Sequence, residues 1–351
     1  MLDFYKGKRV FVTGHTGFKG TWLTRILVNS GAFVCGYSRC SKKNPSLFEM
    51  SSVVDKILHV TGDVRDIKFL KKSFSDFNPE IVFHLAAQPI VRESYKDPIG
   101  TYETNVMGTA NIMECVRLTP SVKSVLNVTT DKVYLNKEWC WGYREDEKLD
   151  GFDPYSNSKS CSELVTHCYK NSFFFNRNIA VSTARAGNVI GGGDFSCDRI
   201  IPDCVRAVEN SQVIGVRNPN STRPYQHVLE PLFVYLTIAE KQYNNNSYQG
   251  YYNVGPDDSD CVTTGQLVDL FCKYWGNNVT WKIISDNNAP HEASFLKLDC
   301  SLLKSTFGWQ PRWHINECIR KVCEFNKVWL SGGNIPLEMD KEIKDFWSEE
   351  K

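Results

Sequence analysis

Two short stretches hold the residues best suited to proton chemistry: TTDKVY at 129–134 and YSNSK at 155–159. Tyr155 and Lys159 stand four residues apart, so on a helix they share one face. An ammonium beside a phenol favours the phenolate, lowering the tyrosine pKa from about 10 toward working pH. Such a tyrosinate can take the proton of a substrate hydroxyl while a hydride leaves the same carbon. Thr130 closes the apolar run SVLNVTT, where a strand of a parallel sheet should end. Asp131 and Lys132 follow at once, an acid and an amine beyond what hydride transfer alone needs.

These groups need a scaffold, and the first half of the chain supplies one. Strand-like runs at 9–14, 32–38, 57–64, 81–87, 124–130 and 179–189 alternate with stretches whose apolar residues recur every three to four positions. Near-continuously apolar strands alternating with helices predict an α/β fold, a doubly wound parallel (Rossmann) sheet covered on both faces. Ligands are then expected beyond the carboxyl ends of the strands. Asp153 and Pro154 suit the first turn of the helix carrying Tyr155. After residue 187 the rhythm fades: GNVIGGGDFSCDRIIPD is loop-rich, and mixed helices and loops follow GYYNVG at 250–255. The expected division is a dinucleotide-binding domain over 1–187, with returning segments at about 224–256. A smaller mixed C-terminal substrate lobe takes 188–223 and 257–351.

The turn TGHTGFKG places Gly14, Gly17 and Gly20 directly after the first strand and at the start of a helix. There glycine permits a tight turn and close backbone approach to a pyrophosphate, while the helix start favours its charge. The second strand ends in GYSRC, offering Ser38 and Arg39 but no carboxylate for a ribose 2′-hydroxyl, so Arg39 leans toward the extra phosphate of NADP. Asp63, after the third strand, has two roles open: acceptor for an adenine amino group, or cap of the next helix.

Bulk composition excludes several classes. The 351 residues carry 41 basic against 40 acidic side chains, net +1, which gives no electrostatic footprint for nucleic acid or an anionic membrane. No apolar run approaches the roughly 20 residues that span a bilayer. The first residues, MLDFYKGKRVFVTG, lack the regions of a signal peptide, so a cytoplasmic chain is expected. Thirteen irregularly spaced cysteines without a CxxC pair suggest buried reduced thiols. His84 reads as a packed strand histidine; His227 and His291 have no metal-ligand spacing, and no metal is expected.

Taken together, TGHTGFKG, HLAAQ (84–88), NVMGT (105–109) and YSNSK resemble the extended short-chain dehydrogenase/reductase family. NPSLFE (44–49), TTDKVY, WGYREDE (141–147), AGNVIGGGDF (186–195), RPYQHVLEPL (223–232) and LKLDC (296–300) extend the resemblance, through nearly the whole chain, to its nucleotide-sugar 4,6-dehydratases of the CDP-sugar type. Departures are Thr130 where serine is common, Val133 for cysteine, and Phe195 and Tyr225 for tryptophan.

The resemblance implies a redox triad of Thr130, Tyr155 and Lys159. It also implies an elimination pair, with Asp131 as acid toward a C6 oxygen and Lys132 as base at C5. For these roles the aspartate must be raised and the lysine lowered, and their separation decides whether attraction between the charged forms opposes it. The cofactor implied is NAD, against the hint from Arg39. It would be held by Gly14, His15, Thr16, Gly17, Phe18, Lys19, Gly20, Ser38, Arg39, Asp63, Val64, Leu85, Ala86 and Ala87 with Tyr155 and Lys159. Asn188, Arg199 and Arg223 are the implied contacts to a CDP-glucose-type substrate, and Gln88 is placed near sugar or cofactor. Subunits of the family commonly pair through the helices bearing NVMGT and YSNSK, so a homo-oligomer, dimer or tetramer, is expected. An epimerase working only through C4 oxidation has no need of Asp131 and Lys132. A redox-sensing binding protein has no need of the triad.

Overall fold

The computed structural model describes residues 2–40, 45–284 and 294–348, which leaves Asn44 and His291 outside the described residues. Its centre is a parallel sheet of β1 (Arg9–Thr13), β2 (Phe33–Ser38), β3 (Leu58–Thr61), β4 (Ile81–His84), β5 (Ser124–Thr130), β6 (Ala180–Ala186) and β7 (Tyr251–Val254). The order is β3-β2-β1-β4-β5-β6-β7, so the winding reverses between β1 and β4. β5 and β6 are buried along their whole length, as strands covered by helices on both faces must be.

The strands are shorter than the apolar runs suggested. The third ends at Thr61 and the fourth at His84, and the run 179–189 splits into β6 and a separate pair, Val189–Ile190 with Gln226–His227. In each case the backbone leaves the sheet at its carboxyl edge, where the functional residues begin. Tertiary packing, not apolarity, sets these ends.

Connecting helices are α1 (Phe18–Asn29), α2 (Ile67–Phe77), α3 (Gly108–Leu118), α4 (Pro154–Tyr169) and α5 (Leu229–Asn244). One face of the sheet packs Phe11, Tyr37, Phe74, Ile112 and Val125 together. The other face joins α1 and α5, and its core runs without interruption into later segments through Trp22, Val205, Phe271, Phe325 and Phe346. Trp22 Nε1 donates to the Gly192 carbonyl at 3.0 Å, tying α1 to the glycine-rich loop. Six of the thirteen cysteines are buried and four are exposed, all as free thiols, so burial explains only part of their number. No helix among the described residues is long and apolar enough to cross a membrane.

Candidate active site

Beyond the carboxyl ends of β1, β4, β5 and β6 lies a cavity of about 990 Å³, lined by Phe18, Lys19, Leu85, Ala87, Thr130, Asp131, Lys132, Tyr155, Lys159, Asn188, Arg199 and Arg223 among others. The glycine turn forms one wall. Gly14 has φ +72°, and a Cβ there would sit 2.8 Å from the Ala86 nitrogen; a Cβ on Gly20 would overlap the Gly14 carbonyl. Thr13 Oγ1 accepts the Leu85 and Ala86 amides, both at 3.1 Å, holding the turn after β4 against this one. α1 starts at Gly17 without a side-chain cap, so its first amides face outward, as a pyrophosphate site requires.

The remaining residues of the expected cofactor groove divide by contact. Thr16 and Ser38 share a hydrogen bond of 2.8 Å, while Arg39 is exposed at the end of β2. His15 is buried behind the turn, its Nε2 2.7 Å from His59 Nδ1, and burial pushes its pKa down to about 3. Val64 is buried against Gly108. Asp63 does not cap α2, which Asp66 does through the amides of Lys68 and Phe69. Burial would raise the Asp63 carboxyl, but the Arg65 guanidinium and amide hold it below its ordinary value.

Adjacent residues in a strand point to opposite faces. Asp131 and Lys132 escape this because the chain turns into a 3₁₀ segment, Asp131–Val133, capped by Thr130. Thr130 Oγ1 accepts the Lys132 amide at 3.4 Å and donates to Asp131 Oδ1 at 3.0 Å. Lys132 Nζ donates to the same Oδ1 at 2.9 Å and to Asn188 Oδ1 at 3.2 Å. Asp131 is fully buried, and its Oδ2 has no hydrogen-bond partner among the described residues.

α4 brings the second pair. Pro154 occupies its first turn and Asp153 caps it, accepting the Ser156 amide at 3.0 Å. Tyr155 and Lys159 then face the cavity together. The expected lowering of the tyrosine is not found. Burial raises Tyr155 to about 12, against the pull of the Thr130 hydroxyl beside it. Lys159 Nζ is spent on the Val128 carbonyl at 3.1 Å, and burial lowers it to about 8, opposed by Glu163. In this low-dielectric pocket desolvation is the largest influence on both groups.

Among the expected substrate contacts, Arg199 pairs with Asp194 at 3.1 Å, and the buried Arg223 donates to the Thr222 carbonyl at 2.9 Å. The Gln88 side chain folds back onto Ile90 and Thr101, while its neighbours Ala87 and Pro89 line the cavity. Tyr225 lines the cavity, its hydroxyl 3.1 Å from Thr264 Oγ1, whereas Phe195 packs on Trp329 outside it.

Asn105 and Arg217 also stand at the site, although neither is marked by a residue pattern of its own in the sequence. Asn105 accepts the Gln88 amide at 2.8 Å and donates to Ser158 at 2.9 Å, joining the β4 turn to α4; its place in NVMGT was the available signal. Arg217 pairs with Asp198 at 3.0 Å on the cavity wall, and no motif marks it.

Residues 11–322 match the family described as GDP-mannose 4,6 dehydratase. A CDP-glucose 4,6-dehydratase of Salmonella typhimurium is 47% identical over 99% of both chains. Among solved structures, a Thermotoga maritima UDP-glucose 4-epimerase with UDP-glucose superposes with a TM-score of 0.80 at 19% identity, covering 92% of this chain and 99% of its own. A Bacillus anthracis dTDP-glucose 4,6-dehydratase in complex with NAD gives 0.77 at 18% identity, covering 92% and 97%. With a family match through most of its length and a close relative aligned end to end, this chain belongs to the GDP-mannose 4,6-dehydratase family, nucleotide-sugar dehydratases of the extended short-chain dehydrogenase/reductase class.

Proposed function

We propose that this chain converts CDP-glucose to CDP-4-keto-6-deoxyglucose, a hydro-lyase reaction in which NAD is regenerated in each turnover. The observation that carries the reading is the contact between the buried Asp131 and the half-buried Lys132, in one cavity with Thr130, Tyr155 and Lys159. The glycine turn of Gly14, Gly17 and Gly20 would hold NAD, which would supply a hydride acceptor for the sugar C4 and the hydride donor for C6. Tyr155 takes the C4 hydroxyl proton as its phenolate, the form that burial disfavours, with Thr130 orienting that oxygen and Lys159 holding positive charge beside it. The C4 ketone acidifies the C5 hydrogen. Lys132, as the free amine, takes that proton, and Asp131, as the acid, protonates the C6 oxygen, which leaves as water. Lys132 then returns its proton to C5. Each turnover leaves Tyr155 with one proton more and Asp131 with one fewer, and the Thr130 hydroxyl, bonded to Asp131 and beside Tyr155, is placed to pass that proton back.

The same reading assigns residues 1–187 with 224–256 to the cofactor, and 188–223 with 257–351 to the nucleotide sugar. Arg199, Arg223 and Asn188 serve the substrate's phosphates and sugar. The open backbone of the glycine turn supports a dinucleotide, and NAD is preferred to NADP because a cofactor regenerated in place need not track the NADPH supply. Exposed Ile99, Met107, Leu164 and Phe173 lie on the helical segments through which subunits would pair, which supports a homo-oligomer.

The test is incubation with CDP-glucose and, separately, UDP- and dTDP-glucose in deuterated water, with products read by NMR and mass spectrometry. A 6-deoxy-4-ketose carrying deuterium at C5, formed fastest from the CDP sugar, is expected. A product that keeps its C6 hydroxyl would sink the dehydratase. Cofactor released from the purified chain should lack a 2′-phosphate.

A further inference from the structure

The stretch that carries the elimination pair is pinned at both ends by one buried ion pair outside the cavity. Glu163 and Arg185 meet at 3.0 Å with side chains only 1% and 3% exposed, and neither lines the cavity. Thr129, just before Thr130, donates its hydroxyl to Glu163 Oε1, and Thr183 donates to Oε2 at 2.8 Å. Arg185 Nη1 donates to the Tyr134 hydroxyl at 2.8 Å and to the Glu145 carbonyl at 2.9 Å. Tyr134 donates in turn to Asn253 Oδ1 at 2.6 Å, and Asn253 holds the Tyr143 and Asp299 carbonyls. Asp131 and Lys132 thus sit on a short bridge between two side chains fastened to the same pair. Glu163 also lies one helical turn beyond Lys159 on α4, so the pair ties that bridge to the helix bearing Tyr155 and Lys159.

We propose that Glu163 and Arg185 are positioning residues that align the Asp131–Lys132 turn with α4, so that the ketone formed by one set of groups lies within reach of the other. The proposal rests on the dehydratase reading above. A buried ion pair is weak evidence of stability, because desolvation offsets much of its attraction; fixing a geometry is the better-supported use. Removing either fastening should disturb the turn more than α4, whose own cap at Asp153 is independent of it.

The experiment is a rapid-mixing turnover of the cofactor-loaded chain with CDP-glucose, following the rise and fall of reduced-nicotinamide absorbance. Thr129→Val and Tyr134→Phe each remove one fastening and leave the ion pair in place. Arg185→Lys keeps the charge but loses the fork that reaches Tyr134. In all three the rise should stay near the native rate while the fall slows about 10-fold, as small misplacements of reacting groups do. Rise and fall slowing in equal proportion, or neither changing, would overturn the clamp alone. A wild-type chain that forms no deoxy product would overturn the functional reading and the clamp with it.

Discussion

Lys132 Nζ lies 2.9 Å from Asp131 Oδ1, inside a cavity wall where Asp131 has no solvent contact. Elimination needs a protonated carboxyl and a free amine, and one proton passed along this hydrogen bond converts the ion pair into that state. The separation, which no sequence could give, puts the two groups in direct contact, as the proposed roles require. Asp131→Asn keeps an oxygen to accept from Lys132 and Thr130 but cannot give up a proton to the C6 oxygen. Its turnover should fall by about 10²–10⁴-fold, the usual worth of an acid or base. Lys132→Met should fall similarly. Both variants should still reduce the cofactor with CDP-glucose, and normal turnover by either would remove the assigned roles.

Lys159 illustrates the conflict between function and stability. Its ordinary value is 10.5, and burial brings it to about 8 in the folded chain. Between those values the unfolded chain binds more protons than the folded one, so stability rises with pH across the window. Below about pH 8 the full cost of burying the ammonium is present. Lys159→Met should therefore be more stable at pH 7, by about 1–3 kcal/mol, unfolding at a higher temperature, and should lose the alkaline rise. Its oxidation of CDP-glucose should nevertheless be abolished. Calorimetric scans at pH 7 and pH 9.5 on both proteins, with a turnover assay, check all three statements.

The parallel α/β sheet and the start of α4 were legible because they rest on local signals: apolar runs alternating with helical periodicity, a glycine turn, and Pro154 behind Asp153. The details that were not legible depend on what a side chain meets in three dimensions. Gln88 looked available for a ligand because nothing local shows that Thr101 and the Ile90 backbone consume its amide. Tyr155 was expected to be lowered because the spacing to Lys159 is visible, whereas the burial that raises it is not. Glu163 and Arg185 escaped notice for a related reason. They belong to α4 and β6, and only the sheet register that sets β6 beside β5 brings them to opposite ends of one catalytic stretch.

Lys19, half-buried beside the glycine turn, is lowered to about 7 by burial and by the nearby cations Arg199, Lys159 and Lys132, with Asp131 opposing. It is therefore largely a free amine at pH 8. A dinucleotide pyrophosphate arriving at the start of α1 should draw a proton onto it, because an anion favours the ammonium. Titration of NAD at pH 8 in buffers of different ionisation enthalpy should show proton uptake, which Lys19→Met should lose. Affinity in the wild type should fall as pH rises through 7. An unchanged proton count in the variant would place Lys19 away from the cofactor.

The glycine turn permits a paired comparison, because two glycines in the first twenty residues differ in what surrounds them. Gly7 has φ +75° with no atom within 4 Å of an added Cβ, while a Cβ at Gly20 would overlap the Gly14 carbonyl. Gly7→Ala should cost only left-handed backbone strain, about 1–2 kcal/mol of stability, and leave cofactor affinity unchanged. Gly20→Ala must push α1 away from the turn, at a similar cost of about 1–3 kcal/mol. The displacement also moves the amides at the start of α1 that would face a pyrophosphate, so NAD affinity should drop by at least about 10-fold. Unfolding scans and NAD titrations on the two variants separate the effects. Equal affinities in the two would mean that the turn is structural and that the pyrophosphate is held elsewhere.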